Sequence, residues 1–191
     1  KYGYDEFILA TGYKNKIIEN HFKSKKMNAK SKCINTGKKT LTGGRIKRLK
    51  KYFDKDEDFM VTYGDGLSNI NIKKLVRYHK AHKKIATMTV IHPPARFGEV
   101  IINHKSDIKK FEEKPQVNQG WINGGFFVFN YKIFDFIKGD STMLEKEPIK
   151  TLLNKNQIKA YQHESFWKCM DTLRDKIQLN EMVKKNKTPW I

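Results

Sequence analysis

Apolar residues along the chain fall into short runs divided by polar, glycine-bearing turns, and the runs alternate between two periodicities. Glu6-Phe7-Ile8-Leu9-Ala10-Thr11 is apolar on both faces and stops at Gly12, as expected of a strand covered on both sides in a parallel sheet. Asn15 to Phe22 sets Ile17, Ile18, His21 and Phe22 at helical spacing. Lys23–Lys32, rich in Lys, Ser and Asn, reads as a solvated loop before a short strand at Cys33-Ile34-Asn35. A helix over 44–53 places Ile46, Leu49 and Phe53 on one face, with Thr42 as its N-cap.

The second half repeats the alternation and then changes it. A strand at Phe59–Tyr63 ends abruptly at Gly64-Asp65-Gly66, a helix follows at Ile72–His82 and another strand at Ala86–Ile91. After Pro93-Pro94 the strands are shorter, at 98–102, 108–113 and 124–129. Helices at Ile133–Ile137 and Lys146–Asn154, a strand at Ile158–His163 and a closing helix from Thr172 to Lys185 complete the chain. Strands and helices of these lengths in alternation predict an α/β sheet with right-handed crossovers. No repeat or linker interrupts the pattern, so 1–191 reads as a single domain.

Composition narrows the function classes. With 38% hydrophobic and 12% aromatic residues, 191 residues can bury a core without staples. The formal net charge of +19 first points to a polyanionic partner. Only five of the 39 basic residues are arginine (Arg45, Arg48, Arg77, Arg96, Arg174), and lysine is spread along the whole chain. Nucleic-acid surfaces favour arginine forks, so that reading is set aside. Two cysteines, Cys33 and Cys169, fit reduced thiols in a cytoplasmic protein. No run reaches the roughly 20 apolar residues of a membrane helix and no export signal opens the chain, so no membrane partner is expected.

Candidate chemistry sits where strands end. Asp65 follows an apolar strand between two glycines, so it either faces a ligand or caps the next helix. Asp171 follows Phe166-Trp167-Lys168-Cys169-Met170 and precedes the last helix, where capping is the plainer account. Two such carboxylates, if they converge, suit Mg2+, which takes few protein ligands and completes its shell with water and phosphate. Thr40-Leu41-Thr42-Gly43-Gly44-Arg45 joins hydroxyls, glycines and a guanidinium at a helix start, a combination that suits an anion. Glu113-Lys114 ends a strand with opposite charges, and Asn123-Gly124 opens an aromatic strand as either a sugar contact or a bulge. His79 and His82, three apart on a helix, read as a surface pair. HExxH, CxxC and GxSxG are absent, which removes zinc and serine hydrolases.

Taken in order, LTGGRIKRLKKYF, FMVTYGDGLSNINI, HKAH, PPARFG, FEEKP, INGGFFVFN, EKEPIKTL, FWKCMDTLRDK and TPW resemble the bacterial glucose-1-phosphate cytidylyltransferases of the sugar-nucleotidyltransferase superfamily. The resemblance covers nearly the whole chain. It implies a three-layer α/β/α nucleotide-diphospho-sugar transferase fold with a mostly parallel, Rossmann-like sheet and a small antiparallel subsheet around 98–129. It further implies that CTP and glucose 1-phosphate are the substrates and Mg2+ the cofactor. Thr40, Arg45 and Gly64 would meet the nucleotide, Arg45 and Asp65 would be catalytic, and Asp65 and Asp171 would ligate the metal. Glu113, Lys114, Asn123 and Gly124 would hold the sugar phosphate. Relatives assemble as homo-oligomers, and the same is expected here for a full-length chain. Nothing matches the family's opening GGxGTRL-type phosphate loop, so the expectation is an N-terminally truncated member. UTP or dTTP in place of CTP, or an inactive sugar-nucleotide-binding or assembly module, are the remaining alternatives.

Overall fold

The computed structural model describes residues 2–25, 29–93, 99–112 and 120–191. In chain order the elements are β1 (Glu6–Thr11), α1 (Asn15–Ser24), β2 (Lys30–Asn35), α2 (Thr42–Arg48), β3 (Asp58–Thr62), β4 (Gly66–Ser68), α3 (Ile72–His82), β5 (Ala86–Ile91) and β6 (Glu99–Ile102). There follow β7 (Ile108–Glu112), β8 (Ile122–Asn130), α4 (Glu147–Asn154), β9 (Ile158–His163), β10 (Trp167–Cys169) and α5 (Leu173–Lys184), with single 3-10 turns at Lys50–Tyr52 and Tyr131–Phe136. A four-stranded sheet has the order β3-β8-β5-β9; β1 and β2 pair in parallel, while β4–β10 and β6–β7 are antiparallel. The α/β class is as the periodicity predicts; the small antiparallel subsheet that the resemblance implies is the β6–β7 pair, while β8 belongs to the four-stranded sheet.

Local differences have local causes. α1 runs to Ser24 and β2 already begins at Lys30, so the solvated connection is shorter than the Lys23–Lys32 run predicts. β1 is not covered on both faces: Phe7 is 48% exposed, and β2 is the only strand paired with β1 among the described residues. β4 and β10 are three residues each, too short for any periodicity to announce them.

The residues cluster into two compact units: Lys1–Met60, Ile72–Thr87 and Val128–Lys159 in one, and Val61–Asn71, Met88–Phe127 and Ala160–Ile191 in the other. The first unit is built on aromatic packing. The Phe59 ring stacks on Phe53 at 4.3 Å and on Phe134 at 5.4 Å, and Leu75, Ile133, Phe134, Ile137, Leu144 and Leu152 are each at most 1% exposed. Burying side chains of this size contributes about 1.5–3 kcal/mol each.

The Gly-Gly pair of α2 belongs to this packing. A Cβ on Gly44 would stand 2.5 Å from the Asp140 carbonyl oxygen, and one on Gly43 would stand 2.9 Å from that of Thr142. Thr42 does not cap the helix; its hydroxyl donates to Glu145 Oε2 at 2.7 Å and accepts from the Leu144 N–H at 2.9 Å. Both glycines and Thr42 therefore dock α2 on the 140–145 segment rather than cradle an anion.

His79 is not a surface residue. It is 2% exposed, with Nδ1 2.8 Å from Thr87 Oγ1 and Nε2 3.5 Å from Asp58 Oδ1. Burial lowers its pKa below the ordinary histidine value, against the pull of Asp58.

In the second unit, α5 is closed by a capping box. Thr172 Oγ1 accepts from the Asp175 N–H at 3.2 Å, and Asp175 Oδ2 accepts from the Thr172 N–H at 3.0 Å. The C-terminal Trp190 ring lies 5.4 Å from that of Phe166.

Candidate functional site

Two backbone contacts create the site in the second unit. β10 pairs with β4 so that Cys169 lies opposite Gly66, and the Met170 N–H donates to the Asp65 carbonyl at 2.9 Å. Ser68 braces the same ladder, donating to the Phe166 carbonyl at 2.9 Å and lying 3.0 Å from His163 Nε2. The result is that ligand atoms of Asp65, Cys169 and Asp171 all lie within 4.8 Å of one another, with both carboxylates exposed and Cys169 half-buried. Among the described residues this is the one group of three such side chains.

The helix-capping account fails for both aspartates. Asp65 is followed by strand β4, not a helix, and at α5 the capping is done by Thr172 and Asp175. Asp171 instead accepts a hydrogen bond from the Cys169 thiol at 3.0 Å. Burial, that hydrogen bond and the two neighbouring carboxylates push the thiol up to about 12. The exposed donors of the group are the two carboxylates. Hard oxygen donors in small number fit Mg2+.

Around the pair, glycines play different parts. Gly64 is exposed and a Cβ there would meet nothing within 4 Å, so the fold itself gives no reason for glycine at that position. Gly124 has a structural reason, since a Cβ would press on Ile91 Cγ2 at 3.2 Å and on the Thr89 carbonyl at 3.3 Å. Asn123 folds back on its own strand β8, its Oδ1 accepting from the Gly125 N–H at 2.9 Å; Gly125 takes a φ of +76° against the Tyr63 ring. Trp167, which the sequence reading passes over, donates its indole N–H to the Gly124 carbonyl at 2.7 Å.

Thr40 and Arg45 belong to the first unit. Arg45 Nη1 donates to the Thr11 carbonyl at 3.0 Å and to Thr36 Oγ1 at 2.7 Å, and the Thr36 hydroxyl donates to the same carbonyl at 2.9 Å. The guanidinium thus lies across the C-terminal ends of β1 and β2, and Gly12 leaves it room: a Cβ there would stand 2.7 Å from Nη1 and Nη2. Arg45 Nη2 makes no hydrogen bond among the described residues. Thr40 is buried, its hydroxyl 2.7 Å from where a Gly37 Cβ would stand; Gly37 has φ +95°. The Thr-Gly doublet after each strand, Thr11-Gly12 and Thr36-Gly37, is the sequence signal for this cradle. Glu113 and Lys114, like most of PPARFG, lie outside the described residues.

The sequence matches the family described as Nucleotidyl transferase over residues 1–185. The chain belongs to that family. A glucose-1-phosphate cytidylyltransferase from Salmonella typhimurium is 38% identical over 211 aligned positions, covering 99% of this chain and 82% of the relative. A probable glucose-1-phosphate cytidylyltransferase from Bacillus subtilis is 36% identical with the same coverage. The crystal structure of HddC from Yersinia pseudotuberculosis shares the fold at a TM-score of 0.71, covering 95% of this chain and 80% of that one at 24% identity. This member of the family is a nucleotidyltransferase, as its motifs predict. Among the described residues no helix is long and apolar enough to cross a membrane.

Proposed function

We propose that this nucleotidyltransferase moves a cytidylyl group from CTP to glucose 1-phosphate, giving CDP-glucose and pyrophosphate, and that Asp65 and Asp171 hold a Mg2+ ion for the reaction. The observation that carries this reading is the pairing of β10 with β4, which gathers two exposed carboxylates from distant parts of the chain beside a glycine the fold does not need. The 38% identity to a protein named for this activity supports the choice of base and sugar.

A phosphate oxygen of the sugar phosphate attacks the α-phosphorus in line as the bond to the leaving pyrophosphate breaks. That oxygen is already ionised at neutral pH, so no side chain has to act as a base, and catalysis is positioning and charge neutralisation. Mg2+, when bound, supplies positive charge to the phosphates. Asp65 and Asp171 hold their oxygens together through main-chain bonds that cost nothing to reorganise during the reaction. Gly64 leaves its side-chain space to the nucleotide. Arg45 offers Nη2 to phosphate charge while Nη1 stays fixed on Thr11 and Thr36, and Thr40 lies against the nucleotide.

Pyrophosphate release is the test. It should require CTP and glucose 1-phosphate together and fall on the order of 10²-fold or more in Asp65→Asn. Faster release with UTP or dTTP overturns the base assignment, and an undiminished rate in Asp65→Asn overturns the role of the carboxylate.

A further inference from the structure

We propose that Thr36 is a positioning residue for Arg45: by taking up an Nη1 proton it makes the Nε–Nη2 edge of the guanidinium, and not its Nη1–Nη2 end, the side that meets the nucleotide. The inference rests on the reading of Arg45 as a nucleotide contact and specifies which of its donors make that contact.

The Thr36 hydroxyl has one orientation open to it. The residue is 0% exposed, and its oxygen lies 2.9 Å from the Thr11 carbonyl and 2.7 Å from Arg45 Nη1. A carbonyl cannot donate and a guanidinium cannot accept, so the hydroxyl proton goes to Thr11 and a lone pair faces Nη1. The Thr36 N–H donates to the same carbonyl at 2.8 Å, one position past the Thr11–Asn35 pair that ends the β1–β2 ladder. Main chain on one side and a stiff, branched side chain on the other thus fix the oxygen that Arg45 meets.

Nη1 carries two protons, one for the Thr11 carbonyl at 3.0 Å and one for Thr36, so this nitrogen is fully used. Gly12 stands against both terminal nitrogens, since a Cβ there would be 2.7 Å from each. What remains is the Nε proton and the two on Nη2, none of which makes a hydrogen bond among the described residues. The Nε–H and the adjacent Nη2 N–H run parallel, a two-pronged donor that fits phosphate oxygens. Arg45 is half-buried and both of its acceptors are neutral oxygens, so its charge stays available to an anion. Arg48, three residues on in α2, is the contrast: it is exposed and donates to both oxygens of Asp140.

Calorimetric CTP titration of the full chain in a double-mutant cycle tests this. Thr36→Val keeps the branched shape without the hydroxyl and should weaken CTP binding about tenfold, whereas Thr36→Ser should stay within about threefold of the parent. Arg45→Met should lose at least as much, and adding Thr36→Val to it should cost less than about twofold more. A second measurement needs no variant of Thr36: the Arg45 Nε–H proton NMR signal, assigned by its loss in Arg45→Met, should move downfield when CTP is added. Parent-like CTP affinity in Thr36→Val overturns the proposal, as does an equal loss from Thr36→Val in both Arg45 backgrounds or an Nε–H signal that CTP leaves in place. Failure of the earlier reading looks different: Arg45→Met itself would bind CTP as tightly as the parent.

Discussion

The Met170 N–H donates to the Asp65 carbonyl at 2.9 Å, and through that bond the loop after β3 and the residues before α5 are held as one piece. Cys169, one residue earlier, is in register with Gly66. The two exposed carboxylates are therefore positioned by main chain, and their side chains are spared any structural duty that would conflict with binding a cation.

Asp171 and Thr172 are adjacent and should fail in opposite ways. Thr172→Ala removes the cap of α5 and should cost about 1 kcal/mol of stability, with little change in turnover. Asp171→Asn should leave the melting temperature near that of the parent and lower turnover on the order of 10²-fold. Thermal unfolding and steady-state rates on the same preparations check both; a stability loss confined to Asp171→Asn would return that residue to a capping role.

The glycines divide in the same manner. Gly44→Ala drives a methyl to 2.5 Å from the Asp140 carbonyl oxygen, against backbone that cannot step aside, and should destabilise by about 1–3 kcal/mol. Gly64→Ala meets no protein atom within 4 Å and should shift stability by less than about 0.5 kcal/mol. Its effect should be a raised KM for the nucleotide. An unchanged KM would show that the space over Gly64 is not used.

His79 makes stability acid-sensitive. Burial lowers its folded-state pKa, so below the ordinary value of about 6.5 the unfolded chain binds a proton that the folded chain refuses. Stability is full above that pH and is lost as pH falls from there toward the folded value. His82, also lowered by burial and by the neighbouring His79, adds in the same direction. Denaturant midpoints measured from neutral to mildly acidic pH should decline, and His79→Gln should flatten the slope whatever it does to the absolute midpoint.

Trp167→Phe keeps the ring and deletes the N–H that reaches the Gly124 carbonyl at 2.7 Å. A loss of about 1 kcal/mol is expected from the missing hydrogen bond. Because Trp167 opens β10, the cation affinity of the Asp65–Asp171 pair should weaken with it, measurable by Mg2+ calorimetry. An unaltered affinity would make Trp167 a packing residue alone.

What was legible in advance follows the range of the forces involved. α3, β5 and β9 lie where the hydrophobic pattern puts them, because their periodicity reports burial residue by residue. The collinear motifs carried the family, and Asp65 and Asp171 stood out by their neighbours in sequence. Thr42 and the Gly43-Gly44 pair looked like an anion site because hydroxyls and glycines before a helix serve either purpose. The 140–145 segment that actually engages them is distant in the chain. His79 looked exposed for a similar reason: its partners, Thr87 and Asp58, sit outside its own helix.

The sequence by itself determined the longer strands and helices, the α/β class, the family and the residue types available for chemistry, all of which depend on local pattern. Only the tertiary structure decided which of those residues meet. β4 and β10 are joined through the backbone, over lengths too short to leave a periodic trace. That pairing is what puts Cys169 beside Asp171 and Asp65, and no spacing in the chain encodes it.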